Sequence, residues 1–244
     1  MYLPALRKLY LYGNKLKSLP PDILEELPNL TVLNVNHNKI KVIPPQIKSL
    51  VNLEVFSIMD NELEFVPSEL CSLISLTEIN LNNNAVFALP PELGRLCNLR
   101  KLYLARNNLY NLPEFGYLTL EDLLCEGNHF VQAELLPSHQ EVEVLSLKEL
   151  AARKALLESS DKWSVVQRAL ALYPELASML SEWGRCAVCH KPFLTTWLEC
   201  VQFINLKRDM GMKRSLTVPA RAVLCSYTCF NADGHSYYGT ASPS

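Results

Sequence analysis

The sequence predicts an α/β chain: a solenoid of short parallel strands, then a small helical segment, then a small module closed by paired cysteines. Three observations predict it. One eleven-residue frame recurs six times before residue 132, the composition then turns to alanine, glutamate, lysine and leucine, and four of the eight cysteines fall in two close pairs after residue 185. At 244 residues the chain exceeds the usual single-domain size. The expected boundaries are residues 1–132 for the solenoid, 133–183 for the helices and 184–238 for the module, with 239–244 as a disordered tail.

The frame L-x-x-L-x-L-x-x-N-x-L begins at Leu6, Leu30, Leu53, Leu76, Leu99 and Leu120, with spacings of 24, 23, 23, 23 and 21 residues. A fixed period of this length marks a repeat array, because one turn cannot bury its own apolar face and must stack on neighbours. Within Leu9-Tyr10-Leu11-Tyr12, alternation at period two buries the leucines and turns the tyrosines outward, as in a short strand facing a solenoid core. The asparagines at 14, 38, 61, 84, 107 and 128 form one inward column, where an amide can satisfy turn backbone groups that the parallel ladder leaves unpaired. Five turns continue into an apolar residue and proline, at Leu19-Pro20, Ile43-Pro44, Val66-Pro67, Leu89-Pro90 and Leu112-Pro113, forcing an extended exit onto the convex side. The sixth lacks this step and marks the end of the array. Met1 stands five residues before the first frame residue. The expectation is a shortened form, or a first turn that is frayed or covered by a partner.

This half resembles the short, intracellular, Leu-Pro type of leucine-rich repeat seen in Ras-pathway scaffolds. The resemblance implies a leucine-rich-repeat solenoid whose concave strand face binds a protein. By register that face carries Lys8, Tyr10 and Tyr12 at one flank, amides such as Asn34, Asn36, Asn80 and Asn82 in the middle, and Lys101 and Tyr103 toward the other. Tyrosine and arginine are common interface anchors, so Tyr10, Tyr12, Tyr103 and Arg106 are the candidate partner-binding residues.

In the helical segment, Ser146 and Glu149 have the spacing of a capping box that starts a helix at Leu147. Leu147, Leu150, Ala151, Lys154 and Leu157 follow at helical offsets, a narrow stripe with small residues at its centre that suits a groove on a partner. Further helices are expected over 161–172 and 174–183. The stretch Ser146-Leu-Lys-Glu-Leu-Ala-Ala-Arg153 resembles an elongin-binding box, by which substrate receptors dock on the elongin B/C adaptor of cullin-RING ubiquitin ligases. Ser146, Leu147 and Ala155 match that pattern. Ala151 stands where cysteine is commonest, as in the L-A-A-R version of ankyrin-repeat receptors of the feminization family. The resemblance implies that Leu147 is buried in a pocket of elongin C, with Leu150 and Ala151 as further partner-binding residues, and that a cullin, cullin-2 or cullin-5, completes the assembly. Leu172-Tyr173-Pro174-Glu175-Leu176 is similar to a cullin-2 contact, and the L-P-x-P sequence of cullin-5 receptors is absent from the region.

Cys186-Ala-Val-Cys189 and Cys225-Ser-Tyr-Thr-Cys229 supply four thiols in two close pairs. Such pairs can close a tetrahedral structural zinc site, in which the metal replaces a core too small to hold the fold. Residues 193–203 and 216–224 between the pairs are rich in β-formers, so a zinc-ribbon-like module is expected, with Cys186, Cys189, Cys225 and Cys229 as ligands of about one zinc per chain. His190, Cys200 and His235 are weaker ligand candidates, since four thiolates already saturate the metal.

Several classes are excluded or disfavoured. The net charge of −2, with no basic block, offers no phosphate neutralisation for nucleic acid. No stretch approaches 18 uncharged apolar residues and no secretory leader is evident, so a soluble cytoplasmic or nuclear protein is expected. There is no phosphate loop, H-E-x-x-H or G-x-S-x-G, and too few ligands for a RING domain, so a non-catalytic chain is expected. Two functions compete: a substrate receptor of an elongin B/C cullin-RING ligase, and a signalling scaffold of the Ras-pathway kind in which the helices only cap the array.

Overall fold

The computed structural model describes residues 3, 5–114, 118–131, 145–159, 164–181, 183–195, 198–232 and the backbone of 237–239. The chain divides into two units, Met1–Gln132 with Ile204–Ala220, and Ala133–Phe203 with Arg221–Ser244.

In the first unit the six frames form β1 (Lys8–Tyr10), β2 (Val32–Asn34), β3 (Val55–Ser57), β4 (Glu78–Asn80), β5 (Lys101–Tyr103) and β6 (Asp122–Leu124). They pair in sequence order as one parallel sheet. Leu9, Leu33, Phe56, Ile79, Leu102 and Leu123 lie in register across it, and all but Leu9 are buried. Strands of three residues cannot hold a sheet by themselves; the rungs between them do. Each asparagine from Asn38 onward donates from Nδ2 to a carbonyl of the preceding turn, namely Leu11, Val35, Ile58, Leu81 and Leu104 in order. Its Oδ1 accepts from an N–H of that same turn, at Leu16, Ile40, Leu63, Val86 and Leu109. The amide therefore staples adjacent turns along the inner edge, as its position in the frame predicts.

The residue before each asparagine takes the left-handed conformation in every turn: Gly13, His37, Asp60, Asn83, Arg106 and Gly127. After the Leu-Pro steps the backbone is extended, then closes into single helical turns: α1 (Pro21–Glu25) and the 3-10 turns Pro45–Ser49, Ser68–Ser72 and Pro91–Arg95. Proline's missing N–H is harmless at a helix start, so three of these turns carry a second proline there.

The far end of the array is covered by a segment distant in sequence. Leu206, Met212 and Val218 join the core of the repeats, with Met210 and Leu216 packed against it. Leu112 donates its N–H to the Pro219 carbonyl at 2.8 Å, and Arg214 pairs with Glu126. Residues 204–220, placed with the cysteine module on sequence grounds, thus belong to the repeat unit, because the last turn needs an apolar cover that they supply.

In the second unit α2 (Leu147–Ser159), α3 (Val165–Leu172) and α4 (Pro174–Ser181) enclose a small core of Ala152, Leu180 and Leu194 with Leu156, Leu170 and Met179. Ser146 Oγ accepts from the Glu149 N–H at 3.1 Å, so the helix begins where expected. The second helix starts later than expected, at Val165, where Ser164 caps the Gln167 N–H. Residues 160–163 lie outside the described residues. A two-stranded ribbon, β7 (Gly184–Arg185) with β8 (Pro192–Phe193), precedes the hairpin β9 (Leu198–Asn205) and β10 (Thr217–Leu224), with α5 (Leu206–Met210) between them. A short α6 (Tyr227–Phe230) follows, and β11 (Tyr237–Gly239) adds antiparallel to β9. Gly239, assigned on sequence to the tail, is therefore in a strand; residues 240–244 lie outside the described residues.

Gly184 fixes the ribbon. A Cβ there would stand 2.4 Å from Cζ of Phe193, whose ring is 3% exposed and has no room to withdraw. Gly184→Ala is expected to destabilise the second unit by about 1–3 kcal/mol through overpacking. A thermal melt under reducing conditions checks it, and an unchanged midpoint would contradict the packing described.

Candidate functional site

The outward face of the six-stranded sheet, the outer face of α2 and a four-cysteine cage are the candidate functional features. Tyr10 and Tyr12 on and after β1 are exposed, Tyr12 at 62%. Tyr103 on β5 is half-buried and donates its hydroxyl to Asp122 Oδ2 at 3.3 Å, beside a Lys101–Glu78 pair. Burial, then the neighbouring Asp122 and Glu78 carboxylates, hold the Tyr103 hydroxyl above its usual range, so it stays a donor. Four strand spacings of ~4.8 Å separate β1 from β5, so Tyr10 and Tyr12 form one flank while Tyr103 and Arg106 belong to another. Between them Asn36 Oδ1 accepts from Ser57 Oγ and the Met59 N–H, and Asn82 Oδ1 from the Ala105 N–H. The amide-rich middle is thus partly tied to its own backbone. Arg106 is exposed and holds a left-handed backbone that costs roughly 1–2 kcal/mol in a residue lacking a short polar side chain. Other turns fill that position with Gly, His, Asp or Asn, so the long cation sits there against local preference.

The stripe on α2 faces outward. Leu147 is 86% exposed, and Leu150, Ala151, Lys154 and Leu157 are also exposed. The opposite face carries the buried Ala152 and Glu149, and Glu149 is 0% exposed. Its carboxylate accepts from the Leu194 N–H at 2.9 Å, from the Thr195 N–H at 2.7 Å and hydroxyl at 3.0 Å, and from Arg153 Nε at 2.6 Å. Burial alone pushes this carboxyl up, but the hydrogen bonds from Arg153, Leu194 and Thr195 together outweigh it and bring the pKa down to about 2. A depressed carboxyl pKa contributes stability that is complete above the ordinary glutamate range and is lost as pH falls toward about 2, so the group is ionised at neutral pH. The capping-box reading foresaw the helix start and missed this second role. The signal was present: 149, 152 and 156 share one helical face, so the carboxylate lies among core positions.

Cys186, Cys189, Cys225 and Cys229 come together with all four sulfurs within 4.8 Å of one another. The Cys189–Cys225 and Cys225–Cys229 sulfur separations are both 3.6 Å. Thiolates 2.3 Å from a tetrahedral metal lie about 3.8 Å apart, so the cage fits a thiophilic ion of that size. The first pair sits in a tight turn: His190 N–H donates to the Cys186 carbonyl and Cys186 N–H to the Lys191 carbonyl, with His190 left-handed and exposed. A hydrogen bond from the Cys225 thiol, and others from backbone N–H groups of Cys189, Cys225 and Val188, pull the buried Cys186 sulfur well below the ordinary thiol range. The Cys225 thiol is correspondingly pushed up, chiefly by that bond to Cys186 and then by burial. Ligation would require all four as thiolates, and four negative sulfurs this close would need a cation between them. The pairs predicted from spacing are therefore assembled, and His190 and Cys200 are not among the clustered ligands. Cys200 is buried beside the cage, its thiol raised to about 12 by burial and then by the Cys186 charge. His235 lies outside the described residues. Four such ligands would close a tetrahedral site, leaving no position for substrate water.

No helix among the described residues is long and apolar enough to cross a membrane. The Leucine rich repeat family pattern matches residues 4–63. The chain is 37% identical over 123 residues to leucine-rich repeat-containing protein 69 of Xenopus laevis, covering 50% of this chain and 36% of that protein. It is 35% identical over 130 residues to the mouse protein of the same name, covering 52% and 37%. The chain thus spans little more than a third of the length of these curated relatives. A leucine-rich-repeat protein of Leptospira interrogans is similar in structure at a TM-score of 0.47 and 31% identity, over 51% of this chain and 32% of that one.

Proposed function

From the premise that this chain is a leucine-rich-repeat protein, we propose that it is the non-catalytic substrate receptor of an elongin B/C cullin-RING ubiquitin ligase. The concave face holds a target protein, α2 docks on elongin C, and ubiquitin transfer is done by the partner complex in the cytoplasm or nucleus. Support comes above all from the orientation of α2: Leu147, Leu150, Ala151 and Leu157 face solvent while Glu149 and Ala152 anchor the other side. An apolar stripe turned away from its own core suits insertion into a groove. Leu172 and Tyr173, also exposed, are the candidate contacts for the cullin, cullin-2 or cullin-5. The combination of Leu-Pro turns, Ser146-to-Arg153 and Cys186-Ala-Val-Cys-His-Lys-Pro-Phe193 resembles leucine-rich repeat-containing protein 58. Zinc is the metal proposed for the cage, as a structural ion.

Leu147→Asp is expected to weaken capture of purified elongin B/C at least ~30-fold, the loss of an interface anchor worth about 2 kcal/mol. Because Leu147 is exposed, the melting temperature should stay unchanged. Equal recovery of elongin C by wild type and variant would remove the receptor reading. Co-purification with kinases or phosphatases and no ubiquitin machinery would favour the scaffold.

A further inference from the structure

We propose that the metal governs presentation of α2: loading the four-cysteine cage assembles the socket that holds Glu149, and so turns the Leu147 stripe outward for its partner. This deepens the receptor reading and rests on it only for the identity of the partner.

Glu149 is the positioning residue. Its carboxylate is sealed from water, and its donors outside α2 include the backbone of Leu194 and Thr195 and the Thr195 hydroxyl. Leu194 and Thr195 directly follow β8, and β8 pairs with β7 through Gly184↔Phe193 and Arg185↔Pro192. The loop joining these two strands is the turn that carries Cys186 and Cys189. A ribbon of two residues per strand is not stable by itself, so the metal bound at its loop is what holds the donors in place. The second cysteine pair reaches the same helix by a separate contact: Arg153 Nη2 donates to the Cys225 carbonyl at 2.8 Å. The second pair thus contributes the Cys225 carbonyl directly, and the first pair acts through the ribbon that leads to Leu194 and Thr195.

Apart from Glu149, the helix is seated by Ala152, with Ala155 and Leu156 packed on the small core beside Leu170, Met179 and Leu180. Its 13 residues are near the length at which an isolated helix is marginal, and only Glu149 and Ala152 on it are buried. A buried carboxylate that loses its donors is strongly disfavoured, so dispersal of the socket expels Glu149 to water and releases the face it anchors.

The test uses the full chain, zinc-loaded, then stripped by a chelator under reducing conditions, then reloaded with zinc alone. Hydrogen exchange of the α2 amides is followed, with the β3 and β4 amides as internal reference. Stripping is expected to speed α2 exchange at least ~tenfold, and zinc to restore protection. Glu149→Ala is expected to speed it comparably while elemental analysis still finds about one zinc per chain. Equal protection with and without metal, or unchanged exchange in Glu149→Ala, would overturn the proposal. Elongin B/C capture is scored separately. Metal-dependent α2 protection without capture sinks the ligase reading and leaves this proposal standing, whereas capture that survives stripping overturns this proposal and leaves the ligase reading.

Discussion

Cys225→Ser is expected to abolish metal binding, from about one zinc per chain to well below it, and to unfold the cysteine-bearing core of the second unit. That core is small: Cys186, Phe193, Leu198, Cys200, Leu224 and Cys225, with a rim of half-buried neighbours. Structural zinc in comparable small modules contributes on the order of 10–16 kcal/mol of apparent binding energy, as much as the whole stability of an ordinary domain. Removing a thiolate that lies 3.6 Å from two of its fellow ligands should therefore leave nothing to hold the module together. Cys200→Ser supplies the contrast. Its thiol is equally buried in the same core but stays outside the cage. That variant is expected to keep its metal and lose only about 1–3 kcal/mol for an imperfectly satisfied hydroxyl. Elemental analysis with a thermal melt under reducing conditions distinguishes them, and full metal content in Cys225→Ser would refute the ligand assignment.

The second large effect is expected in the asparagine column. Asn107 is 3% exposed; its Nδ2 donates to Leu81 O at 2.9 Å and Leu104 O at 3.1 Å, and its Oδ1 accepts from Val86 N–H at 3.0 Å. Asn107→Ala takes the partner from the buried Val86 N–H and one of two asparagine donors from each carbonyl, since Leu81 O keeps Asn84 Nδ2 and Leu104 O keeps Asn128 Nδ2. At ~1–3 kcal/mol for the buried N–H left unpaired and ~0.5–1 kcal/mol for the hydrogen bond lost at each carbonyl, a loss of roughly 2–4 kcal/mol follows, large for a point substitution. Its neighbour Asn108 donates only a 3.5 Å bond to Ala85 O, so Asn108→Ala should cost under ~1 kcal/mol. Urea melts of the two variants side by side decide it; equal midpoints would show that the column is decoration.

Asn107 and its equivalents were legible because the feature repeats: a polar residue at one fixed offset among leucines has no bland explanation. The paired cysteines were legible because spacing alone restricts what their sulfurs can do. Glu149 was harder, since a local rule, helix capping, already accounted for it and only Leu194 and Thr195, 45 and 46 residues on, reveal the rest. The cover at Leu206, Met212 and Val218 has a six-residue spacing that matches neither the 23-residue repeat nor a helical stripe, and this hid it. The left-handed column was similarly masked, because six different turns fill it with five residue types.

That cover also imposes an order on folding during synthesis. Arg214 meets Glu126 across 88 residues, whereas neighbouring turns meet across about 23, so the array zips locally and then waits for its lid. At ~5–20 residues per second the ribosome takes roughly 4 to 18 s to deliver those residues, and for that interval the leucines of the last turn are the nascent chain's sticky end. A chaperone with affinity for apolar β-edges would have its opportunity there, and premature termination before residue 204 would leave that end open for good.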